Sequence, residues 1–136
     1  MVGMENYVKD LKERLKQFAD ERDWDQFHAP KNLVMALSVE ASELLEHFQW
    51  LSEEQSQNLS PEQHQLVAHE MADIFIYLMR LAGKLDVDIL QAVEEKLKLN
   101  AAKYPVDKVR GSSRKYTEYP DGHKYPDGHK YQNEQD

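Results

Sequence analysis

Between positions 5 and 22, apolar side chains return every three or four residues: Tyr7, Val8, Leu11, Leu15, Phe18 and Ala19. That period gathers them into one stripe and predicts an amphipathic helix from about Glu5 to Arg22. The stretch RDWDQFHAP breaks the stripe, and Pro30 suits the first turn of a second helix. Leu33, Leu37, Leu44, Leu45 and Phe48 carry that helix from about Lys31 to Leu51. The polar run SEEQSQNLSPEQ reads as a loop, with a strong helix start inside it at Ser60-Pro61-Glu62-Gln63. Serine caps, proline fits the first helical position, and glutamine closes a capping box. The third helix then runs through MADIFIYLMRLA to about Ala82, with Gly83 as terminator. A fourth spans about Asp88 to Tyr104 and ends at Pro105. Almost nothing reads as strand, so the fold class is all-α, a bundle of four helices.

After Pro105 the composition changes. The hexapeptide YPDGHK occurs twice in tandem, Tyr119–Lys124 and Tyr125–Lys130, each copy with a Pro-Asp-Gly turn former. With almost no aliphatic content this segment cannot build a core. Its two histidines are read as part of an exposed or partner-draped tail rather than as metal ligands. The chain therefore divides into a helical domain, 1–106, and a polar tail, 107–136.

Charge and composition narrow the function. The 136-residue chain has a formal net charge of -8, which opposes contact with a phosphate backbone, so nucleic acid is not an expected partner. It contains no cysteine, which excludes disulfides and thiolate metal sites. The N-terminus lacks a hydrophobic signal core, and no apolar run approaches the roughly 20 residues that span a bilayer. A soluble cytoplasmic protein with no membrane partner is the expectation.

Two pairs of acids stand out against this background. Glu40 and Glu43 lie three apart on the second helix, Glu70 and Asp73 three apart on the third. Residues at that spacing are separated by about 60° around the helix axis, so each pair projects from one side. Both pairs are flanked by apolar residues, Leu37, Leu44 and Phe48 in one case and Met71, Ile74 and Phe75 in the other. One such pair is usually a solvated helix edge. Two pairs on consecutive helices can face each other if those helices are antiparallel. Four carboxylates gathered in a partly buried place repel and require cations. No lysine or arginine stands within either motif, and an all-oxygen ligand set suits Mg²⁺, with Mn²⁺ as a substitute. Mg²⁺ commonly shares its shell with substrate phosphates, which points to a phosphate-bearing substrate.

Further residues extend the pattern. Tyr77 and Arg80 continue the Asp73 stripe four and seven positions on. Lys96, Asn100 and Lys103 share a face of the last helix and offer donors to a triphosphate. Trp24, Phe27, His28 and Trp50 lie near helix ends, where a base could stack. His47, close to the Glu40 stripe, reads as an ordinary partner of the acids.

These residues resemble a known family. The stretches ERDWDQFHAPKNLVMALSVEASELLEHFQW, HEMADIFIYLMRLA and DILQAVEEKLKLNAAKYP are similar to the all-α nucleotide pyrophosphohydrolases of the MazG-like superfamily, within them the dCTP pyrophosphatase family. The likeness covers roughly Glu5 to Val106. It implies Mg²⁺-dependent hydrolysis of a nucleoside triphosphate to a monophosphate and pyrophosphate, with dCTP or a related, modified pyrimidine nucleotide as substrate, in clearing the nucleotide pool. It implies metal ligands at Glu40, Glu43, Glu70 and Asp73. It implies substrate contacts on Trp24, Asp25, Gln26, Phe27 and His28, and on Trp50 and Tyr77. It also implies a homo-oligomer, typically a tetramer, with sites at subunit boundaries. The tandem repeat has no counterpart in the pattern.

The chemistry expected is attack of water on the α-phosphorus, with Lys96 and Lys103 steadying the leaving pyrophosphate. Related scaffolds carry dUTPase or phosphoribosyl-ATP pyrophosphohydrolase chemistry, and the stretches RDWDQFH and FQW favour the dCTP branch. A helical module that binds nucleotide or protein without turnover is the rival from another class.

Overall fold

A computed structural model describes residues 2–118, so the YPDGHK repeats lie outside the described residues. Six α-helices occur among them: α1 (Val2–Glu21), α2 (Pro30–Glu46), α3 (Glu53–Gln57), α4 (Pro61–Lys84), α5 (Ile89–Lys103) and α6 (Val106–Val109). Short 3₁₀ turns cover Asp25–Phe27 and Tyr116–Glu118, and no strand occurs among the described residues. Four of the helices are long, as the periodicity predicts. The two short ones, α3 and α6, are additions to the expected four.

The chain divides into two compact units, the first running to Ile89 and the second beginning at Leu90. In the first, α2 and α4 make the most extensive contact, and α1 joins α4. Val8, Ala19, Leu33, Val67, Met79 and Ala82 are its buried apolar residues, drawn from these three helices. Lys12 of α1 donates to the Val87 carbonyl, 3.0 Å away, beyond the end of α4. The second unit contains α5 and α6, with Pro105 as the N-cap of α6.

Two boundaries differ from expectation. The second helix stops at Glu46 rather than Leu51, and the segment after it is not all loop. Ser52 caps α3 in a capping box, accepting from the Gln55 backbone while Gln55 Oε1 accepts from the Ser52 backbone N–H. The run Ser52-Glu53-Glu54-Gln55 repeats the logic of Ser60-Pro61-Glu62-Gln63, and both form the same motif. The new cap competes with extension of α2, and residues 47–51 become tight turns.

The end of α4 is the second difference. Gly83 lies inside the helix, and the left-handed residue is Asp86, at φ 53°. Val87 N–H donates to the Ala82 carbonyl at 2.9 Å and Asp86 N–H to Gly83 at 3.4 Å, the two bonds of a Schellman ending. Helix α1 ends the same way: Asp23 has φ 54°, Trp24 N–H donates to Ala19 and Asp23 N–H to Asp20. Aspartate visits this region more readily than most side chains, so it substitutes for glycine at both ends. Asp86→Val is therefore expected to lower stability by about 1–2 kcal/mol, because a β-branched residue resists positive φ. Asp86→Gly is expected to cost nothing. Urea unfolding of the two variants checks the difference.

Candidate active site

The ending of α1 positions the first site residue. Asp23 turns the chain back, and Trp24 lands over α1 with its ring edge-on to Phe18, centroids 5.8 Å apart at 67°. The Arg22 guanidinium sits 3.5 Å above the other ring of that pair, Phe18. A cavity of about 350 Å³ opens beside them. Leu15, Phe18, Ala19, Trp24 and Ile76 make its apolar walls. Its polar lining is His28, Glu40, Asp73, Tyr77 and Arg80. Leu15, Phe18 and Ala19 were legible in the sequence only as a core stripe; nothing in the period distinguishes a cavity wall from core.

At the acidic side of this cavity, Glu40, Glu43 and Glu70 each bring a carboxylate oxygen within 4.8 Å of the other two. Antiparallel association of α2 with α4 brings the two motifs together. Glu40 and Glu70 are half-buried, Glu43 and Asp73 exposed. Burial pushes the Glu40 carboxyl up to about 7, helped by hydrogen bonding to Glu43 and by the charges of Glu43 and Asp73. Glu70 Oε2 is buried without a hydrogen-bond partner, while Glu70 Oε1 lies 3.6 Å from His47 Nε2. An unpaired buried carboxylate oxygen beside two further carboxylates is the donor set of a hard divalent cation. These residues fit one. Asp73 stands outside the three-acid cluster, contributing charge to it and lining the cavity with Glu40.

Arg80 closes another side. It is 8% exposed, the buried charged residue of the described core. Its guanidinium donates to Asp25 Oδ1 at 2.8 Å and, through Nε, to His28 Nδ1 at 3.2 Å. Lys84 also pairs with Asp25 Oδ1. The Lys84 hydrogen bond, opposed in part by desolvation and aided by the charges of Lys84 and Arg80, holds Asp25 below the usual carboxylate range. Burial lowers His28, with the positive charges of Arg80 and Lys84 acting in the same direction.

The remaining expected residues are not among those that line the cavity. Asp25 is engaged by Arg80 and Lys84 rather than lining the cavity, and Gln26 donates to the Asp23 backbone and side chain. Phe27 (61% exposed) and Trp50 (86% exposed) are not among the residues around the cavity. Lys96, Asn100 and Lys103 lie on α5, in the second unit. Lys84 was missed, and no sequence signal short of the contact itself marks it.

This arrangement can be set beside known proteins. A family model described as MazG-like matches residues 35–119. Over 117 residues the chain is 43% identical to dCTP pyrophosphatase 1 of Homo sapiens and 44% identical to that of Bos taurus. Each alignment covers 85% of this chain and 69% of the relative. The crystal structure of a pyrophosphatase from Archaeoglobus fulgidus DSM 4304 superposes with a TM-score of 0.69 at 36% identity, covering 73% of this chain and 93% of that one. The matched segment contains both acid motifs, and on this ground the chain belongs to the MazG-like family.

Proposed function

We propose that the protein is a nucleoside triphosphate pyrophosphohydrolase that converts dCTP, or a related modified pyrimidine nucleotide, to the monophosphate and pyrophosphate. The observation that carries this reading is the juxtaposition of an apolar, aromatic cavity with a cluster of acids that share Glu40. A base fits the former and a metal-bound triphosphate the latter. The relatives named dCTP pyrophosphatase 1 support the choice of nucleotide. Clearance of such nucleotides from the pool is the role that follows.

Glu40, Glu43 and Glu70, with Asp73 beside them, would hold Mg²⁺, or Mn²⁺ in its place. A divalent cation there would neutralise phosphate charge and lower the pKa of water. The chain's own residues do the rest. Trp24 walls in the base against Phe18. Tyr77 and His28 offer hydrogen bonds to base or sugar. The oxygen of a water molecule attacks the α-phosphorus, a carboxylate of the cluster accepts its proton, and the bond to the bridging oxygen breaks to release pyrophosphate. The apolar walls exclude other water from the base.

Assembly belongs to the same proposal. Leu66, Met71 and Phe75 of α4, and Trp50, are exposed in the single chain. Apolar exposure on this scale along one helix favours burial between copies. A homotetramer is the expected state, with residues 1–106 as the assembling domain and 107–136 as a tail. No helix of the described residues is long and apolar enough to cross a membrane. A cytoplasmic setting is part of the proposal. Light scattering should report about four chain masses. A stable species of 16.0 kDa contradicts the assembly.

Incubation with Mg²⁺ and a panel of nucleoside triphosphates, read by pyrophosphate release, tests the activity. dCTP is expected among the best substrates, and absence of release from every nucleotide would leave only the binding-module reading. Trp24→Ala is expected to weaken a nonhydrolysable dCTP analogue about tenfold or more, the worth of one stacked aromatic. Tryptophan fluorescence titration of the wild type and calorimetry of the variant measure it.

A further inference from the structure

The Arg80 contact has a chemical consequence for His28. Arginine Nε carries a hydrogen and can only donate, so the Nδ1 it meets at 3.2 Å must present a lone pair. In a neutral imidazole the remaining hydrogen then sits on Nε2. Among the described residues, no protein acceptor engages that nitrogen, and the ring lines the cavity. The guanidinium is itself held: Asp25 accepts from it at 2.8 Å, and Asp25 is also paired with Lys84. Asp25, Arg80 and His28 form a chain of three side chains, running from the surface to the cavity wall.

We propose that Arg80 is a positioning residue that locks His28 as the Nε2–H tautomer, so that the ring offers the base a donor and never an acceptor. The inference rests on the dCTP reading above. Set opposite N3 of the base, such a donor suits cytosine, whose N3 is an acceptor; O2 is an acceptor in both pyrimidines and does not tell them apart. Uracil carries N3–H instead and would meet the donor with a donor. The opposite tautomer would invert that preference. The lowered pKa of His28, set first by burial and then by Arg80 and Lys84 against the opposing charge of Asp25, keeps the ring neutral and the lock in force. A donor left facing a donor forfeits one hydrogen bond, and that loss sets the size of the discrimination.

The test uses the full chain with Mg²⁺. Long-range ¹H–¹⁵N correlation spectra at about pH 7 report the tautomer, with the His28 signal assigned by its loss in His28→Gln. The wild type should show Nε2–H. Arg80→Lys keeps the charge but lacks the fork that spans Asp25 and His28. It should populate both tautomers, raise KM for dCTP by about tenfold with little change in kcat, and cut the dCTP-over-dUTP ratio of kcat/KM by about tenfold, the worth of one neutral hydrogen bond. A merely structural Arg80 would move neither the tautomer nor the ratio. If Arg80→Lys does not fold, Asp25→Asn takes its place with the same readouts, since it removes the charge that holds the guanidinium. A wild type with Nδ1–H or a charged ring overturns the inference. So does a shifted tautomer with the nucleotide ratio unchanged within about twofold. Wild-type protein that turns over neither nucleotide overturns the dCTP reading itself and this inference with it, whereas turnover with an unchanged ratio removes the inference alone.

Discussion

Glu70→Gln is expected to lower kcat/KM for dCTP by on the order of 10³-fold, the rate equivalent of several kcal/mol of transition-state charge stabilisation. Glu70 supplies the buried, unpartnered oxygen of the acid cluster, and glutamine keeps its shape while removing its charge. The same substitution should raise the melting temperature of the metal-free protein at about pH 8. Without a cation, Glu70 is one member of a mutually repelling group with Glu40 and Glu43, and the amide relieves that repulsion while adding two donors. Opposite signs for activity and metal-free stability are the signature of a site built for a ligand. A structural acid would lose both together. Steady-state kinetics with saturating Mg²⁺ and thermal melts in chelator measure the two quantities.

The second large effect is on pH. Burial and its acidic neighbours raise the folded Glu40 carboxyl to about 7, against 4.5 for the free side chain. Between those values the folded, metal-free chain holds a proton that the unfolded chain releases. Stability must then fall as pH rises through that window, with the Glu40 contribution fully present below the lower value and lost above the upper. Melting temperatures in chelator should therefore decline from about pH 5 to about pH 8, and Glu40→Gln should flatten the decline. Mg²⁺ reverses the direction, because it competes with that proton for the site. Its stabilising effect should grow with pH over the same range. A wild-type profile indistinguishable from that of Glu40→Gln would remove the coupling between these acids.

Much of this was readable in the sequence, for identifiable reasons. The long helices announce themselves through a 3.6-residue period, and the start of α4 through a capping box whose bonds all form. The acids announce themselves because E-x-x-E and E-x-x-D each break an apolar surface at the same helical step. Three of them meet within one small volume, while Asp73 acts from beside them. What escaped was decided by tertiary contact or by an unusual residue in a familiar motif. The end of α4 looked like a glycine stop, but aspartate supplies the left-handed residue three positions later. Helix α3 hid in a polar run whose cap, Ser52 with Gln55, carries no apolar period. The cavity walls on α1 have the same pattern as core. The pairing of Asp25 with Arg80 and Lys84, across more than 50 positions, leaves no local trace.

The central claim is that these acids serve pyrophosphohydrolysis of a nucleotide held in the adjoining cavity. It is tested most directly by identifying the products of dCTP labelled at the α-phosphorus, with and without Mg²⁺, for the wild type and Glu70→Gln. Labelled dCMP and unlabelled pyrophosphate are expected in equal amounts, formed only with the metal, and on the order of 10³-fold more slowly by Glu70→Gln than by the wild type. Labelled dCDP with free phosphate, or dCMP formed equally well in chelator, would contradict it.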